Sequence, residues 1–159
     1  MARIRPADLR CIVVAVSDSE DSMHAAAVAA QLLAQKGELV FVHVQRVSLE
    51  FPLDALPLPE DRPARRHAHE LLGRCQAVAE RYGVSSRRVL ERRHAAGPAI
   101  VEAAEQAGAD LIVIGGEHRF ARSGRLRLGA TATHVLKHAT CRVMVISPGA
   151  EALAAAKVA

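Results

Sequence analysis

Aromatic residues are scarce in this chain of 159 residues, at 3% of the total, and tryptophan is absent. Single-stranded nucleic acids are bound largely by stacking bases on aromatic side chains, so this scarcity argues against such a partner. The longest nearly apolar stretch, 25–34, is interrupted by Gln31 and is far shorter than the roughly 20 residues of a membrane-spanning helix. We therefore expect no nucleic-acid partner and no insertion into a membrane.

Cysteine is also sparse, since Cys11, Cys75 and Cys141 are the only three and lie far apart. An odd, scattered set predicts neither a disulfide framework nor a zinc knuckle. His134 and His138 have a spacing that zinc sites use, but no third ligand lies near them in the sequence, so solvated side chains explain them better. The sequence thus predicts no metal site and a reducing, cytoplasmic environment.

Half of the residues are hydrophobic and about a quarter are charged, as in ordinary globular domains. A chain of this length can bury enough surface to fold without a metal or a disulfide. We expect one domain over 1–159, with flexible ends at 1–10 and 149–159. The net charge is +4, with 18 arginines against 3 lysines. This bias suits phosphate binding, although a GC-rich genome that favours arginine codons is the preferred explanation.

Continuous apolar runs rich in β-branched residues indicate strands that are buried on both faces, as in a parallel sheet. The predicted strands are Cys11–Val16, 39–44, 87–93, 111–114 and Arg142–Ile146. Because it is highly charged, the third of these is expected near an edge of the sheet. Alternation of these strands with helical segments specifies an α/β fold, a doubly wound parallel sheet with helices on both faces.

Apolar residues at helical spacing predict four helices, over 20–36, 64–82, 99–107 and 129–139. Gly37, Gly83 and Gly108 follow the first three, which is typical of glycines that end helices. The segment 47–63 contains four of the seven prolines, so we interpret it as a variable loop.

The ligand crevice of a doubly wound sheet lies beyond the carboxyl ends of its strands. The first candidate segment there begins at Ser17, which has the spacing of a helix capping box with Glu20. The same turn resembles the loop of ATP pyrophosphatases at Ser17, Asp21 and Ser22, but it lacks the glycines that admit pyrophosphate. A helix cap is the favoured interpretation, and a phosphate-binding turn or an enzyme loop stays open.

The second candidate segment combines a strand end, a basic loop and a helix start. Gly115 and Gly116 end the fourth predicted strand, four arginines and one glutamate occur in the basic segment 117–128, and Gly129 opens the last helix. Glycines admit close approach of a ligand to the backbone, and a helix start offers free N–H donors to a phosphate. The sequence therefore indicates a phosphate-binding cradle, with a solvated surface loop as the alternative.

These features resemble the universal stress protein family over nearly the whole chain. The motifs that carry the resemblance are Val16-Ser17-Asp18-Ser19, His43-Val44, Gly108-Ala109-Asp110-Leu111-Ile112-Val113 and the closing segment Cys141–Ile146. The resemblance implies a five-stranded sheet of order 3-2-1-4-5. It also implies homodimers joined through the last strand, with Arg142, Val143, Met144, Val145 and Ile146 at the interface. An apolar edge strand independently favours such a dimer, because its unpaired backbone groups need cover.

The resemblance further implies a nucleotide site with a degenerate loop. The residues assigned to this site are Ala15, Val16, Ser17, Val44, Gly115, Gly116, Arg119, Arg122, Gly129, Ala130 and Thr131. In one register of the loop Arg119 stands in place of the middle glycine, and in the other His118 does. Ala130 stands in place of a hydroxyl residue, and Ser17 in place of an aspartate. We therefore expect weak binding of ATP or another adenine nucleotide, with the phosphates held chiefly by Arg119 and Arg122. Magnesium is expected only with a bound nucleotide.

No Ser-His-Asp, Cys-His or paired-carboxylate arrangement can be assigned, and the Walker A motif is absent, so no catalytic residue is predicted. The expected function is a regulatory or binding module of the stress response without efficient turnover, although slow ATPase activity stays open. The alternatives are a nucleotide-independent dimeric interaction domain, such as those appended to transporters, and an ATP pyrophosphatase.

Overall fold

The fold is described by a computed structural model that covers residues 8–33, 36–55, 57–116, 119–120 and 126–147. The strands are β1 (Cys11–Val16), β2 (Glu38–Arg46), β3 (Ser85–Arg93), β4 (Leu111–Gly115), β5 (Arg119–Phe120), β6 (Leu126–Arg127) and β7 (Arg142–Ile146). The helices are α1 (Glu20–Leu33), α2 (Arg62–Arg81), α3 (Ala96–Ala107) and α4 (Ala130–His138), and a 3-10 turn covers Pro59–Asp61. None of these helices is long and apolar enough to cross a lipid bilayer.

The main sheet has the order β3-β2-β1-β4-β7, and all of its neighbouring strands are parallel. Since β7 is the fifth strand of this sheet, the predicted order 3-2-1-4-5 is confirmed. Helices α1 and α2 pack against one face, and α3 and α4 pack against the other. The α/β class with helices on both faces is therefore confirmed as well.

The central position of β1 in the sheet explains why polar and apolar residues do not alternate in its sequence. Ile12 and Val14 pack beneath α1 and α2, whereas Val13 and Ala15 pack beneath α3 and α4. Every one of these four side chains is buried. Burial of a valine or isoleucine side chain contributes about 1.5–3 kcal/mol, so both faces of the strand stabilise the sheet.

The predicted helix ends are correct at two glycines and wrong at the third. Gly83 and Gly108 have φ values of 69° and 61°, the left-handed backbone that suits glycine after a helix. Gly37 does not have a left-handed backbone. A side chain at Gly37 would instead place its Cβ 2.3 Å from the carbonyl oxygen of Arg10, so close packing requires this glycine.

The segments between the core elements are more regular than the sequence suggests. Helix α2 begins at Arg62, so Pro63 lies in its first turn rather than in the predicted loop 47–63. The predicted basic loop 117–128 contains a short antiparallel ladder, in which Arg119 pairs with Arg127. Of the chain ends expected to be flexible, the structure describes only 8–10, where Leu9 is buried.

Candidate functional site

A cleft of about 940 Å³ opens at the carboxyl ends of β1, β2 and β4, where the sequence places the crevice. Its floor is apolar. Ala15, Val42 and Ile114 come from the three strands, and Ile100 comes from α3. These side chains all belong to the core cluster on the α3 and α4 face of the sheet. A flat apolar group therefore has a matching surface at the base of the cleft.

The turn after β1 forms one wall, and three serines hold it together. The backbone N–H of Ser17 donates to the Ser22 hydroxyl at 2.8 Å, and the Ser17 hydroxyl lies 3.0 Å from that of Ser19. Helix α1 begins only at Glu20, so Ser17 is not its N-cap and the predicted capping box is wrong. The Ser17 hydroxyl is instead engaged by the other serines. Ser22, which the ATP pyrophosphatase resemblance would place at a ligand, is 2% exposed and supports the turn.

Acidic side chains of this turn shape the mouth of the cleft. Asp18 lines the cleft, and its Oδ2 lies 3.1 Å from Nε2 of His67 on α2. Asp21 packs against the end of β4, where a Cβ added to Gly115 would lie 3.0 Å from the Asp21 Cβ. The glycine at 115 therefore lets the turn approach the strand, and a negative charge stands at the entrance.

The opposite wall is the start of α4. Gly129 is its N-cap and has no side-chain capping hydrogen bond, and Ala130 and Thr131 form the first turn. The first N–H groups of a helix have no partner within the helix and carry the positive end of its dipole. This wall therefore offers uncapped N–H donors, as anion-binding helix starts do.

Of the residues assigned to the nucleotide site from the sequence, most lie together at this cleft. Those that line it are Ala15, Val16, Ser17, Val44, Gly115, Gly129, Ala130 and Thr131. Gly116 is not among them, and its N–H donates to the carbonyl oxygen of Ile146 at 2.7 Å. Arg119 is placed only as backbone, in β5, and Arg122 lies outside the described residues.

Two polar residues of β2, His43 and Arg46, also line the cleft, and the sequence did not indicate Arg46 there. Nδ1 of His43 lies 2.9 Å from the Val16 carbonyl oxygen and joins the ends of the two strands. Arg46 lines the cleft with an exposed side chain. The strand was predicted to stop at 44, but continued alternation places Val42, Val44 and Arg46 on one face, a signal that would have found the arginine.

The histidines and cysteines that the structure describes show no metal-binding arrangement. The rings of His134 and His138 stack with centroids 4.3 Å apart, and no group of three potential metal ligands occurs within the described ranges. All three cysteines are free thiols. Burial raises the pKa of Cys75 to about 12, and it also raises the pKa of Cys11 and of Cys141.

Comparison with known proteins gives a consistent result. The model of the universal stress protein family matches residues 9–147. A solved universal stress protein from Archaeoglobus fulgidus is 25% identical, with a TM-score of 0.68 over 86% of this chain and 98% of that one. A family member from Burkholderia pseudomallei is 28% identical, with a TM-score of 0.64 over 87% and 96%. A universal stress protein from Archaeoglobus fulgidus in complex with dAMP is 24% identical, with a TM-score of 0.65 over 86% and 97%. A search of the curated proteins finds no significant match.

Proposed function

Because this chain belongs to the universal stress protein family, we propose that it is a regulatory module that binds an adenine nucleotide weakly and does not turn it over efficiently. The observation that carries the proposal is the cleft itself, which combines an apolar floor with the uncapped start of α4. The floor suits an adenine ring, and the helix start suits a phosphate. Solved universal stress proteins with cAMP, dAMP or AMP give further support.

Several features of the cleft favour weak binding. Ala130 offers no hydroxyl at the helix start, Gly116 uses its N–H within the sheet, and Asp18 repels phosphate at the entrance. Arginine contacts compensate, because charge-assisted hydrogen bonds are about twice as strong as neutral ones. Ordering each long side chain costs roughly 0.5–1.5 kcal/mol, which reduces that gain. We therefore expect a dissociation constant in the micromolar range or higher. This corresponds to a binding free energy no more favourable than about −8 kcal/mol.

Titration calorimetry with ATP, ADP and AMP at moderate salt tests the binding. We expect saturable binding that weakens in the double variant Arg119→Ala with Arg122→Ala, because these side chains are proposed to hold the phosphates. Arg81→Ala is the matched control, since this exposed arginine lies at the far end of α2 and does not line the cleft. Binding that the double variant leaves unchanged would refute the proposed role of the two arginines.

The absence of efficient turnover is a separate part of the proposal. Radiolabelled ATP with magnesium, which is proposed to enter only with the nucleotide, should remain largely unhydrolysed over many binding lifetimes. Hydrolysis that disappears in Asp21→Ala would instead show enzymatic chemistry at the turn after β1. That result would replace the regulatory module by a slow ATPase or a pyrophosphatase.

The edge position of β7 favours a second, nucleotide-independent role. Strand β7 is apolar, and within the described residues no further strand pairs with its outer edge. We propose that two copies pair there through Arg142–Ile146 and form a dimeric interaction domain for a protein partner, such as a transporter, in the stress response. Three free thiols suit a cytoplasmic location. If no nucleotide binds at concentrations up to about 10 mM, this interaction role replaces nucleotide binding.

A further inference from the structure

The segment that follows β2 carries a patch of exposed apolar side chains. Seven large hydrophobic side chains are exposed in the described residues, and four of them lie within ten positions, namely Leu49, Phe51, Leu53 and Leu58. Leu49 is 84% exposed, and none of the four lines the cleft at the carboxyl ends of β1, β2 and β4. Single exposed apolar side chains are ordinary, but a group of them marks a surface that a partner covers.

Two turns and one arginine hold the backbone of this apolar patch. The N–H of Phe51 donates to the Ser48 carbonyl oxygen at 3.0 Å, and the N–H of Ala55 donates to the Pro52 carbonyl oxygen at 3.2 Å. Nη1 of Arg92, on β3, donates to the Ala55 carbonyl oxygen at 2.7 Å. The apolar side chains are therefore presented by an ordered backbone, which lowers the entropy cost of a contact.

Exposed charges of both signs accompany the apolar patch. Glu50 and Asp54 lie among its apolar positions and form an acidic group. Arg65 and Arg66 lie near the start of α2, just after the patch in the chain, and form a basic group. All four side chains are exposed, and none has an ion-pair partner within the described residues.

The charges between these two groups largely offset one another. Glu60 lines a small cavity together with Arg46, and Oδ2 of Asp61 lies 4.0 Å from Nη2 of Arg92. Arg62, the first residue of α2, is the remaining charge. A partner of a single charge sign would therefore be repelled by either the acidic or the basic group.

We propose that this surface pairs with the same surface of a second copy of the chain. In a twofold arrangement, the apolar patches of the two copies pack against each other. The acidic group of each copy then faces the basic group of the other. Both halves of the contact are present on one chain, which is what a self-complementary interface requires.

This contact is independent of the proposed pairing along β7. The apolar patch follows β2, and α2 packs against β2 and β3, whereas β7 forms the opposite edge of the sheet. Four apolar side chains and a few exposed ion pairs make a small interface, and exposed ion pairs contribute little. We therefore expect a dissociation constant of roughly 0.1–1 mM, so the contact is largely unformed at micromolar concentration.

Sedimentation equilibrium between about 10 μM and 1 mM tests the contact. The average mass of the wild-type protein should rise over this range, and less steeply at high salt, which screens the charges. Glu50→Arg with Asp54→Arg makes both groups basic, and Arg65→Glu with Arg66→Glu makes both acidic. Each double variant should self-associate about tenfold or more weakly, because like charges then face each other.

An equimolar mixture of the two double variants should associate again, since each basic group then faces an acidic one. Arg74→Glu with Arg81→Glu is the matched control, because it changes the net charge as much as Arg65→Glu with Arg66→Glu but lies farther along α2. This control should associate like the wild-type protein. Equal loss in the control would show an effect of net charge alone and would overturn the proposal.

The apolar part of the contact has its own test. Leu49→Ser with Leu53→Ser should also weaken association, and both side chains are exposed, so the fold should be kept. If circular dichroism shows that a variant does not fold, concentration-dependent amide shifts of the wild-type protein decide, and they should be largest at Leu49, Phe51 and Leu53. A constant mass up to about 1 mM, shifts confined elsewhere, or a mixture that stays dissociated would each overturn the proposal.

Discussion

Nε2 of His67 on α2 lies 3.1 Å from Oδ2 of Asp18, and this contact joins α2 to the mouth of the cleft at the carboxyl ends of β1, β2 and β4. The side chains are 51% and 75% exposed, so the pair contributes little to stability. Its importance lies in its position. It places a carboxylate at the entrance through which a phosphate would pass.

Asp18→Asn should therefore strengthen AMP binding. Removing one exposed negative charge near the phosphate is worth up to about 1 kcal/mol, or about a two- to fivefold lower dissociation constant. The gain should shrink as salt screens the interaction. Asp54→Asn is the control, since this carboxylate is exposed in the segment 47–63 and does not line the cleft. Unchanged or weaker binding by Asp18→Asn would show that no phosphate lies near Asp18.

Gly37→Ala should destabilise the fold by about 1–3 kcal/mol, as overpacking does in a rigid site. The new Cβ would lie 2.3 Å from the Arg10 carbonyl oxygen, which accepts a hydrogen bond from Glu38 at the start of β2. Relief of the clash thus disturbs the first pairing of β1 with β2.

Gly73→Ala is the matched control for this substitution. Its Cβ meets nothing closer than a flexible Arg88 nitrogen at 4.0 Å, and within α2 alanine is favoured over glycine by up to about 1 kcal/mol. Urea denaturation of the two variants should give changes of opposite sign. Equal changes would contradict the role of close packing at residue 37.

Cys75 should resist alkylation in the folded protein. It is fully buried with a pKa of about 12, and the thiolate is the reactive form. Iodoacetamide at neutral pH followed by peptide mass spectrometry should modify the partly exposed Cys11 and Cys141 first, and Cys75 only in urea. Modification of Cys75 at the same rate as Cys141 without denaturant would contradict its burial.

The same thiol makes stability depend on pH. The neutral form is favoured in the fold, so its contribution is fully present below about pH 9, the ordinary pKa, and declines as the pH rises towards about 12.

The protein should sediment as a dimer at micromolar concentration. Pairing of two copies along β7 would satisfy the outer backbone groups of that edge with the same patch on both subunits. Val145→Pro removes a backbone donor from the strand and should shift the protein towards monomer, with circular dichroism to confirm that the fold remains. A monomeric wild-type protein would end the proposal.

The sequence predicts the core of this fold better than its connections. The bounds Cys11–Val16 and Arg142–Ile146 agree with the structure because continuous apolar runs have few alternatives to burial in a parallel sheet. At Gly37, the local pattern suggested a helix end. A close contact with the backbone of Arg10, 27 residues earlier in the chain, is instead what requires glycine there. Such contacts leave no trace in local spacing.

The candidate site was also predicted only in part from the sequence. Glycines and strand ends located most of the cleft, because the carboxyl ends of parallel strands must meet at one edge. The predicted capping box at Ser17 is wrong because α1 begins only at Glu20, and the Ser17 hydroxyl contacts the hydroxyls of Ser19 and Ser22. Arg46 was missed because the predicted strand was ended at its last apolar residue, Val44, although the alternation of side chains in β2 continues to Arg46.

The most direct test of the account is an amide chemical-shift titration of the labelled protein with AMP. We predict shifts that saturate in the micromolar to millimolar range and are largest for Ser17, Val44, Gly129 and Thr131, which line the cleft. The amide of Cys75, buried on the opposite face of the sheet, should not move. Absence of shifts at about 10 mM AMP, or shifts confined to residues outside the cleft, would contradict the assignment of this cleft as a nucleotide site.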